Sequence, residues 1–165
     1  MSGAPSTVRM WLENLVVATT TRRPLEELTP EAHIHGGLRL EIQSRLVPYM
    51  GYWGPDDVCM RDWLVELQRA ARALGEDGGR HVFDEGEQGQ PAFEFSRRDG
   101  RGYFSIVASE ISEAEGDEAW QDVAFDPNEF IEALNALLDD FKALLLEKSP
   151  GAAPRWLARI QLNQP

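Results

Sequence analysis

Side chains able to do chemistry near neutral pH are few in this chain. Its 165 residues include one cysteine, Cys59, and three histidines. Cys59 sits in Asp57-Val58-Cys59-Met60. Acidic and apolar neighbours raise a thiol pKa, so Cys59 reads as a small buried hydrophobe and not as a nucleophile. His33 and His35 lie two apart and share a face if the chain is extended. No further His or Cys lies near them in sequence to complete a zinc set. They read, with the isolated His81, as plain surface or strand residues. Asp84-Glu85-Gly86-Glu87 and Glu115-Gly116-Asp117-Glu118 offer hard oxygen ligands for Ca²⁺ or Mg²⁺, but neither follows the EF-hand order. There is no Walker loop, no Gly-x-Ser-x-Gly elbow, no His-Glu-x-x-His and no Cys-x-x-Cys. The reading therefore names no catalytic residue, no cofactor and no metal.

What the chain has in quantity is negative charge. Lys and Arg total 16 against 28 Asp and Glu, a formal net charge of -12. Phosphate binding needs clustered Lys and Arg, which argues against nucleic acid or an anionic membrane and leaves a basic protein as the compatible partner. The charge is also segregated. Twelve acids and three bases lie between Asp84 and Asp126, a net of -9, and the other residues carry only -3. The densest part is Glu110, Glu113, Glu115, Asp117, Glu118 and Asp122, with no basic residue between them. Such a surface speeds association with a basic partner and adds specificity. The plain alternative is a solvated loop that keeps the protein soluble. Trp120, beside the acidic run, has the character of an interface anchor, although a Trp opening a strand is more commonly buried or packed at a rim. A second aromatic group, Tyr49, Met50, Tyr52 and Trp53, stands in a Gly/Pro loop. Tyr52 and Trp53 join the candidate partner-binding residues; a plug closing one end of a sheet is the competing role.

These residues need a scaffold. Val8 to Val17 reads as a strand with an irregularity at Glu13-Asn14, and Leu38, Leu40 and Ile42 alternate with polar residues as a half-buried strand. Gly36-Gly37 reads as a break before it. Met60, Trp63, Leu64, Leu67, Ala71 and Leu74 form one stripe of a helix over about 58–74, capped by Asp56 or Asp57 and ended at Gly75. Short strands are expected at 81–83, 92–97, 103–109 and 120–125, with a turn at Asp99-Gly100-Arg101-Gly102 and an acidic loop over 111–119. Asp126, Pro127 and Glu129 open a second helix as a capping box, running to about Lys148. Residues 1–7 read as flexible and 151–165 as a docked tail of one domain. The expected fold is α+β: one antiparallel sheet of about five or six strands with two amphipathic helices on one face. The longest apolar runs are four residues, and Met1–Pro5 lacks a secretory pattern, so a cytoplasmic protein without a membrane span is expected.

Gly37 to Ile42, Tyr52-Trp53-Gly54, Trp63 to Leu74, and Trp120 to Phe125 with Phe130 together resemble bacterial toxin-immunity proteins of the wall-associated-protein-inhibitor type, over about residues 37–145. Val123-Ala124-Phe125 with Phe130-Ile131 is also similar to the Smi1/Knr4-like immunity superfamily, from which the N-terminal strands depart. The first resemblance implies stoichiometric inhibition of a toxin, with the loop from Glu110 to Asp122 facing a basic groove. A regulatory accessory module in bacterial defence or secretion is the second reading, and a metal-dependent enzyme the third.

Overall fold

The computed structural model describes residues 7–51, 53–86 and 89–162. The chain opens with β1 (Val8–Ala18) and β2 (Arg22–Arg23), then a 3-10 turn at Leu25–Glu27, β3 (His33–Ile42), β4 (Arg45–Leu46) and β5 (Val58–Cys59). Helix α1 (Met60–Ala73) follows, then β6 (Arg80–Phe83), β7 (Ala92–Arg98), β8 (Arg101–Val107) and β9 (Val123–Phe125). Helices α2 (Pro127–Lys148) and α3 (Ala153–Ala158) close the chain. The α+β class holds, with antiparallel pairing throughout. The strands form two sheets where one was expected. The first runs β2-β1-β3-β4 with β5 also on β3, and the second runs β6-β7-β8-β9.

Both sheets turn an apolar face to the helices. On β3, Ile34, Leu38, Leu40 and Ile42 are buried, while His33, His35, Arg39 and Glu41 alternate outward. On β7 and β8, Phe93, Phe95, Phe104 and Ile106 are buried. Helix α1 touches β3, β6 and β7, and so joins the two sheets; α2 lies on β1 and α1. Trp63 is the hub of this junction. It is fully buried, edge-on to Phe83 and Phe93 at 4.9 Å each, and its indole N–H donates to the Met50 carbonyl at 3.1 Å. Phe130 of α2 packs at 5.4 Å on Phe95 and 5.6 Å on Phe125. The tail is docked by Trp156, fully buried against Phe141 and donating to the Ala32 carbonyl at 2.8 Å.

Strand β1 carries the expected irregularity. Its register on β3 shifts between Glu13 and Val16, and Asn14 takes φ 53°. Before the shift Val8 is buried and pairs with Ile42, and Met10 and Leu12 pair with Leu40 and Leu38. After it Val17, opposite Ile34, is buried, so the inward residues change from even to odd numbers. Gly36 is what admits the bulge. A Cβ there would lie 2.9 Å from the Leu15 Cα. Gly36-Gly37 therefore lies inside β3 and does not interrupt it.

The ends of elements differ from expectation where side chains have other work. The N-cap of α1 is Cys59, without a side-chain cap bond, and not Asp56 or Asp57; Asp56 binds Arg39 and Asp57 binds His35 instead. Gly78, not Gly75, takes the positive φ after this helix. The hairpin β7–β8 turns on Asp99 and Gly100 alone, both at positive φ, as its twist requires. At α2, Asp126 caps Asn128 N as expected, at 2.8 Å. Glu129 does not reach back to Asp126. Thr7 stands between them, its hydroxyl accepting from Asp126 N at 2.9 Å while its backbone N–H donates to Glu129 Oε2 at 2.8 Å. The start of β1 is thereby tied to the start of α2.

Replacing Trp63 with Phe leaves the Met50 carbonyl without its donor and opens a void. The expected loss is about 2–3 kcal/mol, read as a lower urea midpoint with an unchanged slope.

Candidate functional site

The loop that follows β3 and the acidic run that follows β8 are far apart in sequence and meet in the fold. The Tyr49 hydroxyl donates to Asp117 Oδ2 at 2.9 Å, Arg45 donates to the Ala119 carbonyl at 2.6 Å, and Gln90 donates to the Tyr49 carbonyl at 3.0 Å. The acidic run has no strand or helix, yet it is tightly held. Ser109 Oγ donates to Asp84 at 2.7 Å and accepts from the backbone of Ile111 and Ser112. Ser112 Oγ donates to the Gln90 carbonyl, Asp117 N to the Ile106 carbonyl, and Ile106 N to the Trp120 carbonyl.

Trp120 takes the buried role that is commoner for a Trp opening a strand, and not that of an interface anchor. It is 5% exposed, edge-on to Phe104 at 5.7 Å, and capped by the Arg45 guanidinium 4.0 Å above its ring. It precedes the last strand, which is shortened to Val123–Phe125. Asp122 takes φ 49° and its N–H goes to Ser105 Oγ, so the ladder starts one residue later.

The carboxylates lie on the other side of the loop. Glu110, Glu113, Glu115, Glu118 and Asp122 are exposed, and Asp117 is half-buried. Asp122 is 3.3 Å from Arg98. Asp117 also accepts from Ala119 N at 2.9 Å, so it shapes the loop as well as charging it. None of the four glutamates is in an ion pair among the described residues. The same two segments expose apolar side chains: Ile111 is 66% exposed, Leu46 54% and Tyr49 48%. Leu46 and Tyr49 border a cavity of about 450 Å³ walled by Leu38, Val47, Gly54 and Pro55. Trp53, 79% exposed, stands further along the same loop. Tyr52 lies outside the described residues.

Trp53 also borders a second cavity, of about 520 Å³, on the outer face of the first sheet. Here the fold assembles what the sequence kept apart. In β5, Cys59 pairs with His35 of β3, and His33 follows on the same face. One ligand atom from each of His33, His35 and Cys59 lies within 4.8 Å of the other two. His35 Nδ1 is 2.8 Å from Asp57 Oδ1, and Asp57 Oδ2 accepts from Trp53 N at 3.1 Å. Arg39 completes the fastening of this loop, donating to the Pro55 carbonyl and to Asp56. Cys59 is half-buried. Burial, with the nearby Asp62 carboxylate, pushes its thiol up to about 11, so it is no thiolate nucleophile at neutral pH. His81 is engaged elsewhere, with its Nε2 against Glu66 on α1. The i, i+2 histidine spacing was visible in the sequence; the return of the chain through β5 was not.

The hydrogen bond to Asp117, reinforced by its charge, raises the Tyr49 phenol above its ordinary value of 10. A raised folded-state value means that this link stabilises the fold fully below pH 10 and is lost as pH climbs through the raised value. The chain has three tyrosines. In an alkaline absorbance titration, Asp117→Asn is expected to return one of them to the ordinary range, and Tyr49→Phe to remove that same late-titrating phenol.

Among the described residues no helix is long and apolar enough to cross a membrane. The chain matches no protein-family model, no curated protein and no solved structure.

Proposed function

We propose that this is a non-catalytic binding protein that docks a protein of basic surface through the face built by the 43–57 loop and the acidic run. The observation that carries the reading is the fixed array of exposed glutamates at 110, 113, 115 and 118, on a run joined through Tyr49–Asp117 and Arg45–Ala119 to the loop that displays Leu46, Tyr49 and Trp53. Charge attracts the partner over roughly a Debye length, about 8–10 Å in physiological salt. Apolar side chains then supply the contact area that keeps it. A loop already ordered by its own hydrogen bonds loses little conformational freedom on binding.

The resemblance to immunity proteins gives the partner a class. On this reading it is a toxin with a basic groove, and the protein inhibits it stoichiometrically by occupying that groove in the cytoplasm of the producing bacterium. A regulatory accessory role would use the same surface on a different basic protein.

Immobilised full-length chain is expected to capture its partner from the host's own proteins. Association of the captured protein, once purified, is then followed at low and high salt. The triple change Glu113→Lys, Glu115→Lys and Glu118→Lys spares Asp117 and its structural bonds. It is expected to slow association at least tenfold at low salt and to flatten its salt dependence. Trp53→Ala is expected to act mainly on dissociation. Unchanged association after the triple reversal overturns the reading.

A further inference from the structure

We propose that His33, His35 and Cys59 form a binding site for a divalent transition-metal ion of the Zn²⁺ class, held by two imidazole nitrogens and one thiolate. The donor set is the first ground. Imidazole and thiolate are the ligands that borderline-soft metals select over the hard oxygen-seeking Ca²⁺ and Mg²⁺.

Geometry is the second. The outward face of β3 carries His33 and His35 two residues apart, and β5 sets Cys59 directly opposite His35. The three ligand atoms already lie within 4.8 Å of one another. Zinc bonds of about 2.0–2.3 Å in a tetrahedron put ligand atoms about 3.3–3.8 Å apart. Closing by about 1 Å is within reach of small side-chain rotations, because all three stand on paired backbone.

The third ground is the surrounding shell. Asp57 Oδ1 lies 2.8 Å from His35 Nδ1. A carboxylate on one imidazole nitrogen fixes the tautomer and leaves Nε2 as the lone-pair donor, the arrangement that orients metal-bound histidines. Among the described residues, Asp57 and Asp62 border the same cavity with the cation Arg22, so the local balance of charge does not oppose a cation. The cavity's opening leaves a fourth position for water or an outside ligand. On binding, Cys59 gives its thiol proton to solvent and Sγ becomes the thiolate ligand.

The bulge in β1 contributes as well. By resetting the strand's phase it places Val16 and Ala18, the partners of His35 and His33, on this outer face, where they border the cavity. An ion bridging β3 and β5 would lock the short β5 in place, and with it the loop that presents Trp53.

The test uses the full chain, reduced and stripped with a chelator. Co²⁺ serves as the spectroscopic probe, and Zn²⁺ affinity is measured by competition with a chromophoric chelator. One equivalent of Co²⁺ is expected to give a thiolate-to-cobalt charge-transfer band, displaced by Zn²⁺ and unaffected by excess Ca²⁺. Cys59→Ala is expected to abolish the band. Asp57→Asn is expected to keep it and to weaken Zn²⁺ binding about 10–100-fold. Absence of the band in the unmodified protein overturns the proposal, whatever the variants do. So does Zn²⁺ affinity that is unchanged in a folded His33→Ala/His35→Ala/Cys59→Ala variant, since surface carboxylates would then hold the ion.

Discussion

Everything on the first sheet depends on one close approach of two backbones. A strand presents alternate residues to alternate faces, so a run of eleven residues can keep a single inward set only if its phase never changes. In β1 the apolar residues do not keep phase: Val8, Met10 and Leu12 are even, and Val17 is odd. The bulge at Asn14 and Leu15 reconciles them, and it fits because residue 36 of β3 has no side chain. Without that correction Val17 would turn to solvent and Val16 to the core. The same correction decides which residues flank His33 and His35 on the opposite face, so the interior and the outer cavity are set by one local irregularity.

The second sheet is then tied to α1, α2 and the acidic run by aromatic rings. Trp63 reaches both Phe83 and Phe93, Phe95 reaches Phe104 and Phe130, and Phe104 reaches Trp120. Each ring buries a large apolar area and constrains the orientation of the next. The chain of contacts passes from α1 through the second sheet to the base of the acidic run. Among the described residues most salt bridges involve at least one well-exposed partner, and exposed pairs contribute little.

Much of this was legible in the sequence, for identifiable reasons. The α2 helix announces itself through Asp126 and Pro127, because capping is a local effect that needs no knowledge of the rest of the chain. The alternation of Leu38, Leu40 and Ile42 and the irregularity near Asn14 are likewise local. Division into two sheets is not local: it depends on α1 crossing between β3 and β7, and periodicity carries no information about which strands are neighbours. Asp57 shows the same limit from another side. Its type and place suit a helix cap, and a histidine twenty-two residues earlier takes the carboxylate instead. The sequence neighbours of Cys59 are acidic and apolar, and the neighbour that matters, His35, is across a strand pair. The acidic run was legible as charge; its rigidity rests on serine hydroxyls and a buried indole that composition does not single out.

Trp120 shows how the charge and the scaffold answer each other. Six carboxylates in thirteen residues repel one another and would, on a free chain, drive the segment toward extended, solvated states. Repulsion between exposed charges is screened and amounts to little for each pair, whereas a buried Trp side chain is worth several kcal/mol against its removal. One indole in the core, with Arg45 stacked over it and Tyr49 bonded to Asp117, is therefore enough to hold the loop against its own charge. The aromatic residue beside the acidic run packs into the protein itself. On the proposed binding role, recognition would fall to the exposed glutamates of the run and the apolar side chains of the neighbouring loop. A charged surface fixed in this way keeps its pattern in the free protein, so its field is in place before a partner arrives.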